Sequence, residues 1–215
     1  MDLNDINFLN EIQFDFNALV QECHQNAVKH GFWEEGKPGY ETAALIHSEW
    51  SEVLEEARAG RGLVWYNEER DHKPEGIAVE IIDGIIRIFD WLGHEKVQLS
   101  EGYSHIRILD IVANDSVELS DEHEHDFVSY YCLPGIKDMD VAELVCTMHY
   151  VTTAAYIEYT GGTTSEERLH WIILLLHMIA SGFAWIAWHG EDPIKLLKVK
   201  QEYNRKRPYK HGKKF

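Results

Sequence analysis

The chain has 215 residues, of which 45% are hydrophobic and 12% aromatic, so it can bury a sizeable core and is not a disordered chain. Its 37 acidic and 20 basic residues give a formal net charge of −17, which argues against general adhesion to nucleic acid or anionic lipid. Three cysteines are too few for a secreted disulfide scaffold, and the acidic N-terminus lacks the apolar stretch of a secretory signal. We therefore expect a cytoplasmic protein with no nucleic acid or membrane partner.

Helical periodicity dominates the chain and predicts an all-α protein, a helical bundle formed by one domain over residues 1–215. The apolar spacing predicts helices over residues 8–31, 40–60, 76–93, 138–160 and 165–189, a last helix from Pro193 to about Lys206, and a short one within 97–113. Gly31 and Gly60 are typical of helix C-termini. Residues 114–137 have the composition of a loop, and no convincing strand pattern competes with the helices.

One segment, Trp171–Trp188, is apolar enough to reach the lower length limit for a membrane span. A helix that is buried on all sides has the same composition. Burial is the favoured interpretation because His177 lies in the middle of the segment and no Lys/Arg cluster flanks it closely. We therefore expect this helix to lie in the core of a bundle or at a subunit interface.

The two predicted helical hairpins, residues 40–93 and 138–189, carry a faint internal repeat. The matched pairs are His47/His149, Glu56/Glu158 and Gly60/Gly162 at an offset of 102, and Trp91/Trp188 and Gly93/Gly190 at an offset of 97. The repeat predicts that the second hairpin is a degenerate copy that packs on the first, as a second subunit would. Whether the chain also forms a homodimer stays open.

Two pairs of carboxylates stand out on consecutive helices. Glu49 and Glu52 are three residues apart, as are Glu80 and Asp83, so each pair shares one helix face. The second pair interrupts an otherwise apolar helix, where unpaired carboxylates would be costly to bury. A hard divalent cation held by carboxylate oxygens would remove that cost. The alternative is a solvated helix face on which Arg87 is the partner of the acids.

The motifs around these carboxylates resemble a known family. LIHSEWSEVLEEARAG followed by GIAVEIIDGIIRIFDWLG is similar to the ExxE…ExxD signature of the MazG-like all-α nucleoside triphosphate pyrophosphohydrolases, which are relatives of the dimeric dUTPases. The basic tail over residues 200–215, KQEYNRKRPYKHGKKF, resembles the K-x-x-Y-N-x-x-R-P-x-x-H-G-x-K ending of MazG-like proteins. The segment NAVKHGFW is similar to the end of their first helix.

The resemblance implies Mg²⁺-dependent hydrolysis between the α and β phosphates of a nucleoside triphosphate, which releases a nucleoside monophosphate and pyrophosphate, with Mn²⁺ as a substitute cation. It assigns the metal to Glu49, Glu52, Glu80 and Asp83, catalysis by activation of water to Glu49 or Glu52, and phosphate or sugar contacts to Lys200, Asn204 and Arg207. Phe32 and Trp33 are candidates for stacking on the base, with a place in the core as the alternative.

Two departures from the family pattern are visible. Ser48 stands where the family often has a first glutamate. The second hairpin carries Val151, Ala154, His177 and Ala180 at the positions equivalent to the four carboxylates, so a second metal site is not expected.

Two other functions are carried as alternatives. One is a carboxylate-bridged di-iron bundle, which is suggested by the ExxH spacing of Glu122 with His125 and of Glu167 with His170. The other is a non-catalytic nucleotide-binding or assembly module.

Overall fold

Eight α-helices account for most of the residues that this computed structural model describes, namely 3–100, 104–113, 116–118, 127–129, 133, 135–161 and 165–212. The helices are α1 Leu3–Glu11, α2 Phe16–Lys29, α3 Gly39–Arg58, α4 Ile77–His94, α5 Ile108–Ala113, α6 Val141–Gly161, α7 Ser165–Trp188 and α8 Pro193–Arg205. The protein is an all-α helical bundle, as the periodicity predicted.

Short strands connect the helices in three antiparallel pairs. They are β1 Gln13–Asp15 with β4 His105–Arg107, β2 Trp65–Asn67 with β3 Lys73–Glu75, and β5 Ser116–Glu118 with β6 Phe127–Ser129. Each strand has three residues, which is too short to produce a readable alternation of apolar and polar side chains. The loop predicted over 114–137 thus contains β5 and β6 among its described residues.

The single helix predicted over residues 8–31 is wrong, because the chain breaks between α1 and α2. Phe14 is buried, pairs with Ile106 across the β1–β4 ladder and packs edge-on against Phe183 at 5.4 Å between ring centroids. The Asp15 carboxylate accepts a hydrogen bond from the Ala18 backbone N–H and so caps the start of α2. Tertiary pairing and a local N-cap together override the apolar periodicity. The short helix expected within 97–113 is confined to α5.

Helix α4 lies at the centre of the bundle and packs against α2, α3, α7 and α8. Most of its residues are buried, which explains why its sequence is apolar on nearly every face. Helix α3 packs on both α4 and α6, and α6 packs on α7, so the two hairpins are in direct contact. This arrangement also places the carboxylates of α3 and α4 side by side.

Helix α7 contains the apolar segment, and the prediction that it is buried is confirmed. Within the described residues, Leu169–Trp188 is one helix whose length and composition would allow it to cross a membrane, and 78% of its most apolar window is buried inside the protein. Gly182 allows α7 to approach α4 closely, because a Cβ there would lie 2.8 Å from the Ile85 Cδ1 atom.

Positions that the internal repeat equates contact each other. His47 Nδ1 lies 2.7 Å from His149 Nδ1, and the Trp50 indole N–H donates to the Thr152 hydroxyl at 2.9 Å. In the second block, Gly182 packs on Ile85, which is its equivalent at an offset of 97. A residue near a two-fold axis contacts its own equivalent, so these contacts have the pattern of a pseudo-two-fold axis between the hairpins.

Candidate functional site

A cavity of about 700 Å³ lies among α2, α3, α4, the β2–β3 hairpin and α8. The acidic residues of its wall are Glu49, Glu52, Glu69, Asp71, Asp83 and Asp90, and the basic ones are Lys37, Arg70, Lys73, Arg87 and Arg207. Both signs of charge therefore meet in a single concave space, which suits a ligand that combines a cation with an anion.

Three of the four predicted metal ligands converge. Carboxylate oxygens of Glu49, Glu52 and Glu80 all lie within 4.8 Å of one another. Glu49 and Glu80 are buried, at 6% and 3% exposure, whereas Glu52 is more accessible to solvent. The i,i+3 spacing on α3 turns Glu49 and Glu52 toward the same side, and the packing of α3 on α4 brings Glu80 to them.

Glu80 is the least satisfied member of this cluster. Its Oε2 atom is buried and has no hydrogen-bond partner among the described residues. Burial, followed by the nearby Asp83 carboxylate, raises the pKa of Glu80 from 4.5 to about 8. A buried carboxyl group that is protonated and has one oxygen without a hydrogen-bond partner fits a site for a hard divalent cation. The cation would displace the proton and supply positive charge beside the carboxylate.

Arg87 holds Glu49 in place. The Arg87 guanidinium donates from Nε to Glu49 Oε1 at 2.5 Å. Burial raises the pKa of Glu49, and the Arg87 charge opposes this rise. Burial alone would lower the pKa of Arg87, but the carboxylates of Glu49, Asp83 and Asp90 together raise it, so the guanidinium stays charged. Arg87 is thus an ion-pair partner of the first carboxylate pair, whereas the alternative considered from the sequence paired it with the second.

Asp83 lies outside the cluster of three and has a cationic partner of its own. Lys200 Nζ is 2.7 Å from Asp83 Oδ2 and donates to the Pro74 carbonyl at 3.3 Å. Burial alone would lower the pKa of Lys200, yet the Asp83 and Glu80 carboxylates raise it. Lys200 is 1% exposed and is not part of the cavity wall. The expected phosphate contact is therefore a buried counter-charge in this structure.

Asn204 and Arg207 line the cavity. The Asn204 Oδ1 atom is buried and has no hydrogen-bond partner among the described residues. Arg207 follows the C-terminus of α8 and reaches the same wall. Beyond it, the Tyr209 ring packs on Gly31 and fills the space that a Cβ would need, and the φ of +79° at this position also favours glycine. The tail is thereby held against the loop that follows α2.

The two aromatic candidates have different environments. Phe32 lines the cavity. The Trp33 indole N–H donates to Asp90 at 2.8 Å, and its ring stacks on His94 at 3.8 Å between centroids. Lys37 is almost fully buried beside them, 3.5 Å from Asp90, and burial lowers its pKa. Trp33 is therefore a supporting side chain behind the wall, and of the two candidates Phe32 is the one that lines the cavity.

Sequence reasoning missed the two cations of the β2–β3 hairpin. Arg70 and Lys73 line the cavity, and both approach the buried Glu75, at 3.7 and 3.0 Å. Lys73 and Arg70 lower the pKa of Glu75 despite its partial burial, so this carboxylate anchors both cations. A dense run of charge over residues 68–75, placed directly before the carboxylate helix, was the available signal.

The di-iron alternative gains no support from the described residues. The acidic cluster consists of glutamates alone in the part of the chain that the structure describes. Glu122 and His125 lie outside the described residues, as does the side chain of Glu167, and His170 approaches Glu158 at 3.8 Å.

No protein-family model, curated protein or solved structure matches the chain.

Proposed function

We propose that the protein is a Mg²⁺-dependent nucleoside triphosphate pyrophosphohydrolase that releases a nucleoside monophosphate and pyrophosphate. One observation carries the proposal: a carboxylate cluster with an unpartnered buried oxygen, on Glu80, adjoins a cavity whose wall also holds Arg70, Lys73 and Arg207. Phosphoryl transfer depends mainly on neutralising charge and positioning the reactants, and these are the groups it requires.

Glu49, Glu52 and Glu80 would hold the cation, with Asp83 beside them on α4. When bound, Mg²⁺ (or Mn²⁺) supplies positive charge to the phosphate oxygens and lowers the pKa of a bound water. Arg87 restrains Glu49, so Glu52 is the carboxylate better able to orient and deprotonate the attacking water. These roles follow from the environment of each carboxylate.

The remaining parts of the cavity suit the rest of a nucleotide. Arg70, Lys73 and Arg207 are charged donors for a triphosphate chain. Phe32 and the Asn204 amide offer a ring face and a hydrogen-bonding group for the nucleoside. Lys200 contributes by balancing the negative charge of Asp83 and Glu80 from behind the site.

The test is to incubate the full chain with Mg²⁺ and a panel of ribo- and deoxyribonucleoside triphosphates, and to measure monophosphate and pyrophosphate by chromatography. Equal amounts of the two products are expected for at least one substrate. Release of inorganic phosphate with a nucleoside diphosphate would contradict the proposed cleavage position. Saturable binding without any product would favour the nucleotide-binding module, and an oxo-bridge absorption after loading with iron would favour the di-iron protein.

A further inference from the structure

A second group of ligand atoms lies between α3 and α6, apart from the cavity. His47 on α3 and His149 on α6 face each other with their Nδ1 atoms 2.7 Å apart. The rings are nearly coplanar and meet edge to edge, with centroids 5.0 Å apart and an interplanar angle of 11°, so the short contact is an N–H···N hydrogen bond. Neither residue belongs to the cavity wall or to the glutamate cluster.

The two rings are held by helices that pack directly on each other. The Thr153 hydroxyl donates to the His149 carbonyl at 3.0 Å and lies 3.4 Å from His47 Nε2, which leaves the Nδ1 atoms turned toward each other. A neutral imidazole can bind a metal ion through either ring nitrogen, so the Nδ1 atoms that face each other are the candidate donors. A cation bound by both Nδ1 atoms would take the place of the proton between them, which moves to Nε2 of its own ring, and the two rings would separate to hold the ion.

We propose that His47 and His149 form a binding site for a divalent transition cation of the Zn²⁺, Ni²⁺ or Cu²⁺ class, with water completing the coordination. Imidazole nitrogen suits these cations, whereas carboxylate oxygen suits Mg²⁺, so donor chemistry separates this site from the glutamate cluster. A bound ion would cross-link the first hairpin to the second at the contact between equivalent positions. The proposal is independent of the proposed hydrolase activity.

The experiment titrates the full chain with Cu²⁺ in excess Mg²⁺, which occupies the carboxylates, and follows binding by electron paramagnetic resonance. The first equivalent of Cu²⁺ is expected to show coupling to two nitrogens. His47→Asn and His149→Asn should each weaken that binding by about tenfold or more. Because the chain has 13 histidines, His105→Asn serves as the matched control: this side chain is 80% exposed, and its loss should leave the first equivalent unchanged.

Equal Cu²⁺ affinity in all three variants would overturn the proposal, and the pair would then be a hydrogen bond between two neutral rings. A second measurement does not depend on the variants folding: anomalous diffraction from crystals of the unmodified protein soaked in Ni²⁺. A peak between the two Nδ1 atoms is expected, and peaks at other histidines with none between these rings would equally overturn the site.

Discussion

The two helical hairpins differ in the side chains that they bury. In the first, formed by α3 and α4, Glu49 and Glu80 are buried polar side chains that face each other. In the second, formed by α6 and α7, the repeat places the buried side chains of Val151 and His177 at the corresponding positions. One hairpin thus carries charge inside the bundle, and the other supplies apolar surface against which it packs.

This difference between the hairpins indicates how the protein offsets the cost of burying carboxylates. Buried carboxylates oppose folding unless they are paired, and two of the four have a cationic partner: Glu49 has the partly exposed Arg87, and Asp83 has the buried Lys200. Glu80 has no hydrogen-bond partner at its buried oxygen among the described residues. The apolar core of α7, with Ile179 and Phe183 fully buried, helps to offset that cost.

The largest expected effect is on turnover, and it tests whether the two hairpins differ in function. Glu80→Gln keeps the shape of the side chain but cannot supply an anionic ligand, so Mg²⁺-dependent turnover should fall by at least about 100-fold. His177→Gln at the equivalent position of the second hairpin is the matched control and should leave turnover within about threefold. Turnover of folded protein is measured in a continuous pyrophosphate assay. An equal loss in both variants would mean that the hairpins do not differ in function.

Removal of the Lys200 ammonium should have the largest effect on stability. Lys200→Met leaves Asp83 without its buried counter-charge and should lower the free energy of unfolding by about 3 kcal/mol. Lys195→Met, at an exposed position of the same helix, should change it by less than about 0.5 kcal/mol. Urea unfolding measures both changes. Unchanged stability together with lost triphosphate affinity would instead place Lys200 on the phosphates, as the family resemblance implies.

Elements that depend on local signals could be predicted from the sequence. Helices α3 and α4 begin and end within two residues of the expected positions, because apolar spacing and Gly60 determine them locally. The break between α1 and α2 could not be predicted in this way, because β1 pairs with β4 about 90 residues later. No local pattern reports a partner at that distance.

The residues of the candidate site also fall into two groups, those that local spacing in the sequence reveals and those that depend on tertiary packing. The i,i+3 carboxylates of α3 and α4 were visible because helical geometry alone brings each pair to one face. The partners of individual charges were not visible. Lys200 meets Asp83 across more than 100 residues, and Arg70 and Lys73 reach the cavity through a hairpin of three-residue strands. Such pairings depend on how the helices pack, which periodicity does not determine.

The C-terminal tail is tested next. It places polar and charged side chains beside the first hairpin, and the second hairpin has no equivalent of them among the described residues. Truncation after Tyr203 removes Asn204 and Arg207 from the cavity and releases the Tyr209 contact with Gly31. Each charged hydrogen bond is worth about 1.5–3 kcal/mol, so triphosphate affinity should fall by about 10- to 100-fold. Calorimetry with a non-hydrolysable analogue measures this change, and circular dichroism verifies that the helices remain. Unchanged affinity would count against the tail as a phosphate contact.

A smaller effect concerns pH. Because the pKa of Glu80 is raised from 4.5 to about 8, its contribution to the stability of the metal-free protein is present below pH 4.5 and is lost as the pH rises to about 8. Mg²⁺ must displace the same proton, so its affinity should increase by up to about tenfold per pH unit below pH 8 and then level off. Calorimetry at several pH values measures both trends. Glu80→Gln should remove the stability trend, and its persistence would assign the proton to another group.

The smallest expected effect compares how the two hairpins pack at the pseudo-two-fold axis. A Cβ at Gly84 in α4 would overlap the rigid Trp50 ring, whereas a Cβ at Gly182 in α7 would meet aliphatic methyl groups, Ile85 Cδ1 at 2.8 Å and Ile81 Cγ2 at 3.0 Å. Alanine gains about 1 kcal/mol over glycine in a helix, and overpacking a core costs about 1–3 kcal/mol. Gly84→Ala should therefore destabilise the protein by about 1 kcal/mol, and Gly182→Ala should be near neutral in the same urea titration. If Gly182→Ala were the more damaging change, the contact between the hairpins would be tighter than the packing within the first one, and the second hairpin would be more than an apolar wall.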